Sequence, residues 1–97
     1  MIIVNRSDVW KIIEHYGPDK QMLKSAEECA ELAQACIKVG LGSKKRKDID
    51  NLVEEIADVT LMIEQLKMIM DINENTVEDI VYEKIARQLK RIRGEKD

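Results

Sequence analysis

Apolar residues recur at helical spacing along almost the whole chain, and only three short segments interrupt them. Gly17-Pro18 is the first, Gly40-Leu41-Gly42-Ser43 the second, and Asn73-Glu74-Asn75 the third. Between them the pattern predicts helices over about 7–16, 20–39, 48–71 and 76–93. Ser7 is the expected cap of the first and Asp19 of the second. Residues 44–47 (Lys-Lys-Arg-Lys) read as a loop, and Asp48 or Asp50 as the cap of the third helix. Thr76 with Asp79 resembles a capping box for the fourth. The expected fold is all-α: three long helices plus a short N-terminal one, in one domain spanning 1–97.

The faces follow from the same periodicity. Helix four sets Val77, Ile80, Val81, Ile85, Leu89 and Ile92 on one side. Helix three is apolar nearly all round, so it is expected to be buried between neighbours. Helix two is apolar at Met22, Ala26, Cys29, Ala30, Ala33, Cys36 and Ile37, with Gln21, Lys24, Glu28 and Glu31 opposite. Cys29 and Cys36 lie about 10 Å apart along the axis, too far for a mutual disulfide, and read as small core residues. With no Phe and only Trp10, Tyr16 and Tyr82 as aromatics, the core is left to aliphatic residues, with Met62, Met68 and Met70 among them. A bundle of 97 residues with so apolar a third helix is expected to be completed by dimerisation or tetramerisation.

Charge and hydropathy exclude some functions. The net charge of −3 speaks against a general nucleic-acid binder. No apolar run reaches the roughly 18–20 residues of a membrane span, and the N-terminal apolar run is too short for a signal peptide. A cytoplasmic location is the resulting expectation.

Two acidic clusters carry the functional signal: Glu27-Glu28-Cys29-Ala30-Glu31 and Glu54-Glu55-Ile56-Ala57-Asp58. The i, i+3 spacing puts Glu28 with Glu31, and Glu55 with Asp58, on one helix face each. Most acidic pairs among 19 acids are solvated. Asp58 is harder to dismiss, because it sits inside Ile-Ala-Asp-Val-Thr-Leu-Met-Ile. An ionised carboxylate there costs several kcal/mol unless it is paired or metal-bound. Helices joined by a short loop pack antiparallel, so the four carboxylates can face one another across a groove. Hard divalent cations such as Mg²⁺ take such oxygen ligands. A di-iron site needs Glu-x-x-His pairs and the chain has one histidine, His15, far from both clusters. One His and two ill-placed Cys cannot build structural zinc.

Glu27-Glu28-x-x-Glu31, then 23 residues, then Glu55-x-x-Asp58 resembles the signature of the MazG-like all-α nucleoside triphosphate pyrophosphohydrolases. Gly17-Pro18-Asp19-Lys20-Gln21, Glu31-Leu32 with Ala33 and Ala35, and Lys84-Ile85-x-Arg87 with Arg91 extend the likeness over about 15–92. Tyr82 departs from it, standing where the family often has Asn. The resemblance implies Glu28, Glu31, Glu55 and Asp58 as ligands of Mg²⁺ or Mn²⁺. It implies Glu27 either as a group that supports the ligands from behind or as one that helps deprotonate water. The implied reaction turns a nucleoside triphosphate into monophosphate and pyrophosphate, in house-cleaning of aberrant nucleotides, within a homodimer or homotetramer.

Supporting residues have two readings each. Lys24 could contact phosphate or pair with Glu28; Gln21 could read a base or lie on the surface. Lys84, Arg87 and Arg91 could reach the triphosphate or remain solvated. Residues 44–47 could cover phosphates, and Trp10 could stack on a base or anchor the first helix. Rival functions are a phosphoribosyl-ATP pyrophosphohydrolase, a nucleotide sensor without turnover, and a non-enzymatic helical oligomer.

Overall fold

Gly17 turns the chain from the first helix into the second. Its φ of 95° lies in the region that favours glycine. The computed structural model describes residues 2–95 and shows four helices: α1 (Arg6–Tyr16), α2 (Pro18–Gly40), α3 (Arg46–Ile69) and α4 (Glu74–Ile92). Among the described residues there is no strand. No helix is long and apolar enough to cross a membrane. Gly17→Ala is expected to cost about 1–3 kcal/mol, since alanine must enter a positive φ. An unchanged midpoint in a urea titration would refute that.

The helices begin earlier than their expected caps. Asn5, not Ser7, caps α1, its Oδ1 accepting from the Asp8 amide at 3.1 Å. Pro18 opens α2, so Asp19 lies in the first turn rather than capping it. Arg46 and Lys47 belong to α3 rather than to a loop. Asp48 accepts from the Ser43 hydroxyl, which holds its carboxyl below the usual carboxylate range. Asn73 caps α4 in place of Thr76, accepting from the Asn75 amide at 2.8 Å. For α1, α2 and α4 a residue just upstream offers the side-chain oxygen or the fixed φ first, whereas the α3 cap, Lys45, makes no side-chain bond.

α2 and α3 form an antiparallel pair, with α1 laid against both. Their seam is not the one that hydropathy picks out. The face of α2 that packs carries Gln21, Ser25, Glu28 and Ala35, while Cys29 and Cys36 are exposed along with Ala26, Ala30, Ala33 and Ile37. The expected apolar face of α2 is therefore turned outward, and the cysteines are not core residues. α3 is buried on one side only: Val59, Met62 and Gln65 point in, whereas Val53, Ile56 and Ile63 are exposed. Ile13 and Val9 of α1 plug the open end of the pair.

α4 stands apart. None of its residues is buried, and Ile80, Val81, Ile85, Leu89 and Ile92 are all exposed. The radius of gyration is 16.4 Å, against about 12.5 Å for a compact chain of this length. Lys67, near the end of α3, holds the corner by pairing with Glu64 at 2.7 Å and with Glu74 of α4. Acids crowd the N-terminal half of α4 and bases the C-terminal half, which suits the helix dipole.

Candidate metal centre

The polar seam between α2 and α3 is where the acids meet. Glu28 and Glu31 project from one face of α2, and the antiparallel register sets Glu55 of α3 opposite them. One carboxylate oxygen from each of the three lies within 4.8 Å of the others. Three negative groups this close repel one another, and the site relieves little of that. Lys24 approaches Glu28 at 3.4 Å and Glu27 at 3.4 Å, but it is half-exposed. Its ammonium pKa is raised by bonds to those two acids. Among the described residues, nothing donates to Glu28 Oε2 or Glu55 Oε2, although both atoms are buried.

Burial pushes the Glu55 carboxyl above its ordinary range, and the negative charges of Glu31, Asp58 and Glu28 push it further. The linkage follows directly. Folded Glu55 binds its proton more tightly than unfolded Glu55 does. The folded chain therefore carries more protons between the two pKa values, and metal-free stability falls as pH rises through that window. The loss is complete above the folded value. Melts in EDTA from acid to neutral pH, wild type against Glu55→Gln, isolate the contribution; parallel profiles would refute it.

The donor set fits a hard divalent cation: carboxylate oxygens on rigid helices, two of them buried without a partner. Asp58, one turn along α3 from Glu55, is exposed and lies outside the tight trio. It lines an adjoining pocket of about 540 Å³ together with Glu27 and Glu28. The same pocket is bounded by Gln21 and Lys24, and by Tyr16, Leu23, Leu61 and Met62. Gln21 is neither on the surface nor free: it is buried, and its Nε2 donates to Gln65 Oε1 at 2.8 Å.

Lys84, Arg87 and Arg91 lie on α4, which contributes nothing to the lining of this pocket. Lys84 instead borders a shallow apolar groove on α4 itself, with Val81, Ile85 and Leu89. His15 packs edge-on against Tyr16 at 4.6 Å, and Trp10 is 43% exposed on α1. Gln65 escapes a search for acids. It is 1% exposed and stands seven residues beyond Asp58, on the same stripe of an apolar helix. The reasoning that singles out Asp58, a polar residue inside an apolar run, reaches Gln65 when applied two turns further.

No family model, curated protein or solved structure matches this chain.

Proposed function

We propose that the chain is a metal-dependent nucleoside triphosphate pyrophosphohydrolase of the MazG-like kind. It converts a nucleoside triphosphate, aberrant ones included, into the monophosphate and pyrophosphate in the cytoplasm. The observation that carries this reading is the trio of Glu28, Glu31 and Glu55, with two buried oxygens lacking a partner, beside a pocket of nucleotide size. A Mg²⁺ or Mn²⁺ ion held there supplies charge neutralisation for the phosphates and a lowered pKa for water. Glu28, Glu31 and Glu55 hold the ion, and Asp58 extends the set toward the pocket. Lys24 offers the pocket a cation for a phosphate oxygen, steadied by Glu27 and Glu28. Glu27 is exposed at the pocket edge, where it accepts a proton from water.

The active form is a homodimer or homotetramer. The exposed stripe on α4 and the bare apolar side of α3 support this, because monomers rarely leave so much contiguous apolar surface in water. Association also offers Lys84, Arg87 and Arg91 a route to a neighbour's pocket.

The test is pyrophosphate release from a panel of standard and modified nucleoside triphosphates, with Mg²⁺ and with EDTA, beside Asp58→Ala. Metal-dependent release that Asp58→Ala lowers is the expected result. No release from any nucleotide, with a melting temperature indifferent to metal, would leave helical association as the function.

A further inference from the structure

Gln21 and Gln65 form a buried amide pair at the end of the pocket away from the acids, and Met62 favours one direction for their hydrogen bonds. Gln65 Nε2 donates to Met62 Sδ at 3.4 Å. A thioether accepts but has no proton to give, so Gln65 gains a bond by turning its amino group toward Met62 and its oxygen toward Gln21. Gln21 must then turn its own amino group to Gln65, at 2.8 Å. Its Oε1 remains, and no described residue donates to it. Were Gln21 alone to flip, two amide oxygens would face each other in a buried place. Met62 thus fixes Gln65, Gln65 fixes Gln21, and Gln21, which lines the pocket, presents an acceptor.

We infer that this relay makes the pocket select nucleobases bearing an exocyclic amino group, cytosine and adenine, over their deaminated counterparts uracil and hypoxanthine. The inference rests on the nucleotide reading above. Gln21 lies about 10 Å along α2 from Glu28, near the span from a 5′ phosphorus to the far edge of its base. Leu23, Leu61 and Met62 give apolar wall to the base plane between those ends. An amino group at that edge donates to Gln21 Oε1. An oxo group brings a second acceptor against it and leaves both unpaired. Among aberrant nucleotides, deaminated ones are then poor substrates.

Two measurements test the relay. The first is calorimetric binding of CMP against UMP and of AMP against IMP, with Mg²⁺ present. The second is pyrophosphate release from dCTP against dUTP with Mg²⁺. The amino member of each pair is expected to bind and turn over about tenfold better. Gln65→Leu frees Gln21 to rotate and brings the ratio close to one; should that variant fail to fold, the wild-type ratios decide alone. Equal binding within both pairs, a ratio unchanged in folded Gln65→Leu, or no binding of any monophosphate overturns the relay. Equal release from dCTP and dUTP also overturns it, yet leaves the pyrophosphohydrolase standing. Amino preference in binding without release of pyrophosphate does the reverse.

Discussion

Glu55→Gln is expected to abolish the proposed metal-dependent pyrophosphate release, by more than about a hundredfold, and to raise the melting temperature of the metal-free protein. The two effects have opposite signs because one carboxylate causes both. Glu55 is crowded by Glu31, Asp58 and Glu28, and its Oε2 is buried without a donor. An amide of the same shape removes one negative charge and adds N–H groups that Glu28 and Glu31 can accept from. A residue kept for structure behaves otherwise, since removing it lowers stability. A site that is strained when empty and active when filled shows this trade of stability for function. Thermal melts in EDTA and with Mn²⁺, beside the release assay, check it. Wild type is expected to gain stability from the metal, and Glu55→Gln to gain little. A variant that melts lower than wild type in EDTA, or that keeps its activity, would sink the assignment.

Ile85→Asp is expected to break the proposed association of chains. Ile85 is 50% exposed at the middle of the α4 stripe, between Val81 and Leu89. A carboxylate there must be desolvated whenever another chain covers the stripe. The expected rise in the dissociation constant is about two orders of magnitude. Sedimentation at several concentrations reads it. Helical content from α1 to α3 should persist, because α4 supports none of their buried residues. Identical sedimentation of wild type and variant would show that the stripe is not the contact.

How legible this was varies from residue to residue. The four helices are readable because the 3.6-residue period survives everywhere except at the breaks, and the breaks hold Gly, Pro and Asn. Helix starts are less so: Asn5 and Ser7 can both cap, and only the backbone decides which one does. The packed face of α2 was misread for a physical reason. Hydropathy favours Ala and Cys over Gln and Glu, yet the seam with α3 is built from Gln21, which bonds across it to Gln65, and from Ser25 and Glu28, which bond to Gln21 and Lys24 on their own helix. Spacing pairs Glu28 with Glu31 and Glu55 with Asp58, but it does not show that Asp58 is exposed and stands outside the trio. Gln65 was not legible, because a neutral amide attracts no attention until its burial is known. Placing Lys84, Arg87 and Arg91 at a pocket depends on a second chain, about which one sequence is silent.

The isolation of α4 makes its own order a gauge of concentration. A helix of 19 residues that buries none of them is marginal in water. If the proposed association is what steadies α4, dilution unwinds it before it touches the α2–α3 pair. Its amides then exchange with deuterated solvent early, and trypsin cuts first after Lys84, Arg87 or Lys90. A preparation kept concentrated and one kept dilute thus age differently, though their sequences and buffers are the same.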